Sequence, residues 1–141
     1  MDTTALEAAY TDLLATAKSI RGPEADWTLS HIALSDRMLA AAARRSRAGL
    51  LVTIDNREAM DVDELIASTT HADRIDLVRH HAADLVTAIA DLDGDAPVRL
   101  HLVTRTGTPV PDQDLPWQDL IRIRATEHLP GHAARLRRIS R

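Results

Sequence analysis

Apolar residues recur at steps of three and four along separate stretches of this chain, and that period constrains the fold more than any other feature. Within residues 4–20 the stripe is Leu6, Tyr10, Leu13 or Leu14, and Ala17, with Glu7 and Asp12 outside it. Within residues 71–92 it is Ile75, Val78, Ala82, Leu85 and Ile89, and from Trp117 onward it is Ile121, Ala125, His128, His132, Leu136 and Ile139. Each stripe is one face of an amphipathic helix. The 141 residues include no Phe and only 2% aromatics, so the core must be built from Leu, Ile, Val, Ala and a little Met. Such a core suits helix packing better than a β-sandwich. The expectation is all-α: a four-helix bundle, with residues 1–141 as a single domain.

Punctuation between the stripes supports four main helices. Arg21-Gly22-Pro23 stops the first, since Gly suits the position after a helix end and Pro cannot continue the ladder. A second helix is expected over 29–47, with Thr28 as its N-cap and Arg44, Arg45 and Arg47 at the end the helix dipole favours. Residues 50–60 lack a helical stripe and carry the turn-forming Asp55-Asn56, so they read as a loop. Asp61-Val62-Asp63-Glu64 opens a short helix ending near Thr70, in the connection between helices two and three. Over 98–110 the period changes: Val98, Leu100 and Leu102 alternate with Arg99, His101 and Val103, and Thr106-Gly107-Thr108-Pro109 is a turn signal. That predicts a short hairpin or extended excursion before the last helix, which is entered through Asp114 and Pro116.

Charge and composition narrow the function. A formal net charge of −4 and few aromatics argue against nucleic acid as a partner, which needs concentrated Lys and Arg and stacking rings. The absence of Cys excludes disulfides, zinc ribbons and a thiol nucleophile. No stretch reaches the ~18 apolar residues of a membrane span, and MDTTALEAAY is acidic without an apolar signal core, so no membrane partner is expected and a cytoplasmic location is.

The chemistry-bearing residues concentrate in ATEHLPGHAARLRRI. His128 and His132 stand four apart, which puts two imidazoles on one helix face with roughly 5–6 Å between Cβ atoms, a chelating spacing. Both fall on the apolar stripe and so are expected to face the core. Pro130 between them removes a backbone bond to Thr126, so a kink or a local opening is expected near His128. His31 shares a face with Leu34, Met38 and Ala42 and is the best third ligand; its place near a helix N-terminus is expected to keep it neutral. Helices distant in sequence converge on one point in a bundle, and a metal site with His31, His128 and His132 follows. The competing reading makes these histidines hydrogen-bonded core residues. His71, His80 and His81 have no histidine at helical spacing, and His101 lies on the polar side of its alternation. Arg122, Arg124, Arg137 and Arg138 read as solvent-facing, whereas Arg135, three residues after His132, reaches the pocket edge as a substrate-binding residue. Asn56 is placed at the mouth in the same role. Glu127 points about 100° away from His128 and is not assigned as a base.

With those residues in place, the chain resembles the DinB-like superfamily, which includes the mycothiol-dependent maleylpyruvate isomerase N-terminal domain and bacillithiol transferases. The resemblance spans nearly the whole chain and rests on tryptophan followed by HIALSD, on IDNREAMD, and on EHLPGHAARLRRI; small members with a DNR loop and an H-L-P-x-H ending resemble it best. It implies a four-helix bundle, often a homodimer, holding a divalent metal through His31, His128 and His132. It also implies transfer of a low-molecular-weight thiol to an electrophile, or hydrolysis of a reactive small molecule. Mycothiol is the thiol favoured by the GC-rich coding that a single lysine, Lys18, suggests. Zinc, nickel and ferrous iron all accept imidazole. A non-catalytic small-molecule-binding or interaction protein, with the same histidines free of metal, is the alternative.

Overall fold

Gly22 and Pro23 end one helix and begin the next. Gly22 adopts φ 118°, a conformation L side chains rarely take, and Pro23 fills the first helical position, where its missing N–H costs nothing. The computed structural model describes residues 1–140. In it α1 (Thr4–Ala17) runs almost directly into α2 (Pro23–Arg47), which starts more than a turn before the expected Leu29. Glu24 and Asp26 occupy its first turn, where the helix dipole favours them. Thr28 is therefore no cap but a buried residue inside the helix, its hydroxyl without a partner.

The all-α expectation fails first at residues 50–60, which are not a loop throughout. β1 (Val52–Asp55) lies there, followed by the short helices α3 (Arg57–Met60) and α4 (Asp63–Ser68). After α5 (His71–Ala90) come β2 (Pro97–His101) and β3 (Gln113–Pro116), giving a three-stranded sheet in the order β1-β2-β3. β1 pairs parallel with β2, Val52 opposite Val98 and Asp55 opposite His101, while β2 and β3 are antiparallel. The fold is mixed α/β and not a four-helix bundle. Val52 and Ile54 bury one face while Thr53 stays exposed, but four residues are too few to declare a strand without a partner. That partner lies beyond α5, because a parallel pair needs a long crossover. The expected hairpin exists, yet its second strand is the segment read as the helix entry. Between β2 and β3 the chain makes an isolated bridge from Val103 to Pro109 around Gly107.

α5 matches expectation closely. Thr70 and Asp73 form a reciprocal capping box, and Val78, Ala82, Leu85 and Ile89 are buried as the stripe requires. One continuous apolar core joins α1, α2, α5 and the last helix to the inner face of the sheet at Val52, Ile54, Val98, Leu100 and Leu115. No helix among the described residues is long and apolar enough to cross a membrane.

The last helical segment departs from expectation in a way that sets the site. It consists of α6 (Trp117–Ile123), a π turn (Arg124–His128) and α7 (Leu129–Ile139). Pro130 has no N–H for the Thr126 carbonyl, and the Leu129 N–H reaches back five residues to Arg124. One extra residue in a turn rotates everything after it by about 100°. The buried side therefore runs through Ile121, Ala125, Leu129, Ala133 and Leu136, and Ile139 is 46% exposed. His128 and His132 do not face the core: they flank this side, His128 exposed and His132 half-buried.

Candidate functional site

His31 sits well inside α2, so the helix terminus does not set its proton affinity; burial does. Its Nδ1 lies 2.8 Å from the Ala59 carbonyl, which can only accept, so Nδ1 carries the proton and Nε2 keeps a free lone pair. Trp27, one turn earlier, stacks on the ring at 4.6 Å and 16°. On the other side the His132 ring stands edge-on, 5.6 Å away. Desolvation pulls His31 down to about 4, with Arg124 adding to the effect and the Ala59 bond opposing it. Desolvation and then the neighbouring His31 take His132 to about 3. His128 is also lowered, by partial desolvation and the Arg124 cation. All three imidazoles are neutral at neutral pH.

These three histidines border one cavity of about 230 Å³, together with Ser35, Asn56 and Arg124. Its remaining wall is apolar, with Met38, Leu39, Leu100, Leu102, Val110 and Leu120 contributing. The histidines thus come together, from α2 and from the junction of the π turn with α7. Among the described residues, however, no three His, Asp or Glu side chains converge tightly enough to hold one ion between them. The donor chemistry suits a metal that binds imidazole, and the spacing stands open.

Asn56 lines the cavity, but both ends of its amide are engaged: Nδ2 donates to the Val103 carbonyl at 3.0 Å and Oδ1 accepts from the Val103 N–H at 2.8 Å. It clamps the 102–110 loop against the end of β1. Arg135 does not line the cavity and stands 3.6 Å from Glu24. Arg105 shares that carboxylate at 3.0 Å and lies over the Trp27 ring at 3.9 Å, so the loop is latched onto the first turns of α2.

The residue that sequence reasoning misplaced is Arg124. It is buried, not solvent-facing, and its Nε and Nη2 both donate to Oδ1 of a fully buried Asp36, which also accepts from the Tyr10 hydroxyl at 2.5 Å. Burial drives the Asp36 carboxyl upward against the Arg124 charge and the two donors. Burial likewise raises the Tyr10 phenol. A signal for Asp36 did exist: it falls in line with Leu29, Ile32, Leu39 and Ala43, the only carboxylate on that stripe. No equivalent signal marks Trp27 or Arg105, whose stacking depends on a loop crossing from the sheet.

The other histidines lie elsewhere. His101 is exposed and paired with Asp112 at 2.7 Å. His80 and His81 pack edge-on against each other on α5, and His71 begins that helix with both ring nitrogens buried and unpartnered. Compared with protein-family models, with curated proteins and with solved structures, the chain finds no match in any of the three.

Proposed function

We propose that this chain is a metal-dependent enzyme acting on a small molecule, with His31, His128 and His132 as ligands of a divalent ion and the adjoining cavity as the substrate site. The observation that carries the reading is three neutral imidazoles from two distant segments bordering one cavity, one of them oriented through Nδ1 by a backbone carbonyl. Metal-ligating histidines almost always donate their second ring nitrogen in this way. The His31 and His132 rings stand 5.6 Å apart, and His128 shares the same lining. A bound divalent ion would supply Lewis acidity and lower the pKa of a coordinated water or thiol. Around it, Trp27 fixes the plane of His31, Arg105 covers the Trp27 ring, and Met38, Leu100 and Leu120 exclude water. The reaction class follows the DinB-like resemblance: transfer of a small thiol such as mycothiol to an electrophile, or hydrolysis of one.

A second reading, a non-catalytic small-molecule-binding protein, draws on the open spacing and on Arg124, a permanent cation beside the three rings. Metal content of the purified chain separates the two, with apo protein reloaded and melted beside His31→Ala and His128→Ala. Near-stoichiometric metal and a metal-dependent rise in Tm, lost in both variants, support the enzyme. No uptake, and no difference between the variants, leaves the binding protein.

A further inference from the structure

Arg124 spends Nε and Nη2 on Asp36 and Tyr10, and among the described residues Nη1 has no acceptor. Nη1 is nonetheless not one of the sealed, unsatisfied atoms of the interior, and Arg124 lines the cavity. A guanidinium is a rigid fork with five donors, matched to carboxylate oxygens. Here one limb of the fork is held by the protein and the other is left for something that enters.

Charge points the same way. Arg124 is the only Arg, Lys, Asp or Glu in the cavity lining, and the Asp36 carboxylate that pairs with it lies outside that lining. The limb of Arg124 that Asp36 and Tyr10 do not hold meets no carboxylate in that lining. The volume limits what can meet it: about 230 Å³ exceeds the roughly 150 Å³ that accepts benzene and falls short of the roughly 300 Å³ at which drug-sized sites begin. An anion without an apolar body would leave the Leu100, Leu102 and Leu120 wall wet.

We propose that the ligand of this cavity is a small organic monoanion, an aryl or short-chain carboxylate, with its carboxylate on Nη1 of Arg124 and its apolar body against Leu100, Leu102 and Leu120. This rests on reading the cavity as a small-molecule site but needs no metal in it.

The test titrates the chelator-treated full chain by calorimetry with benzoate and with benzamide, which share shape and differ in charge. Benzoate is expected to bind at least tenfold tighter. Leu102→Trp, which enlarges a lining side chain and leaves the Arg124 pair intact, is expected to weaken benzoate at least tenfold. The charge-neutralising pair Asp36→Asn with Arg124→Gln is expected to erase the preference for benzoate. Equal binding of the two probes overturns the proposal, as does benzoate binding indifferent to Leu102→Trp. Repeating the titration with zinc keeps the two readings apart. A benzoate preference without zinc uptake supports the anion site and removes the metal; zinc uptake with no benzoate preference does the reverse.

Discussion

Arg124 directs two of its nitrogens, Nε at 3.1 Å and Nη2 at 2.5 Å, onto a single oxygen of Asp36, 88 residues earlier in the chain. Both side chains are buried, and Oδ2 of Asp36 has no partner. Removing one member of such a pair leaves an uncompensated charge in the interior, at a cost of about 3–5 kcal/mol, whereas replacing all members by apolar groups is often close to neutral. Asp36→Ala and Arg124→Ala are each expected to lose stability on that scale in urea unfolding. The combination Tyr10→Phe, Asp36→Leu, Arg124→Met should recover most of it. Single variants that melt like the parent would mean that the pair does not hold the helices.

In the metal-free chain the low proton affinity of His31 and His132 makes stability pH-dependent. Their folded values, about 4 and about 3, lie below the 6.5 of the unfolded chain. Between those values the unfolded state binds more protons, so stability is complete above pH 6.5 and falls as the pH drops toward 4. Tm of chelated protein across pH 4–7 should show this slope, and His31→Gln combined with His132→Gln should flatten it. Parallel pH profiles for parent and variant would refute the assignment.

Asn56 should behave as a clamp. Asn56→Ala leaves the Val103 N–H and C=O without their partners in a partly buried setting, at about 1–3 kcal/mol for an unsatisfied group. Hydrogen exchange at the Val103 amide should accelerate with the loss of stability. A change in ligand affinity with Val103 still protected would instead give Asn56 a direct role at the mouth.

The Arg105 latch should matter for solvent access to Trp27 more than for stability. Trp117 is fully buried, so collisional quenching of tryptophan fluorescence reports mainly Trp27. Arg105→Ala removes the cation over Trp27 and the ion pair with Glu24, exposed interactions that contribute about 1 kcal/mol or less each. Acrylamide quenching should rise while the melting curve barely moves; unchanged quenching would show that the loop stays in place without Arg105.

What could be read from the residues alone divides along physical lines. The stripes on α1 and α5 and the capping box at Thr70 are local, and local periodicity places them. β1 was illegible because its hydrogen bonds lie with Val98 to His101, far along the chain, and its four residues alternate too briefly to stand alone. His31, His128 and His132 border one space, but the expected core-facing orientation of His128 and His132 is not found, since Pro130 converts one turn to π and rotates the downstream stripe from His128 to Leu129. Arg124 was misread for a related reason. An arginine among arginines carries no sign of being buried, and only the position of Asp36 on an apolar stripe hinted that a counter-charge was needed.

The separation of Asp36 from Arg124 also has a consequence in time. A ribosome adding about 5–20 residues each second takes roughly 4 to 18 s to go from one to the other. Throughout that interval the nascent α2 carries a carboxylate in the middle of its apolar side with nothing to neutralise it. Collapse of the first helices around that side alone would bury this carboxylate with only the Tyr10 hydroxyl as partner. The charge that the finished interior pairs with Arg124 is, in the half-made chain, one that burial disfavours.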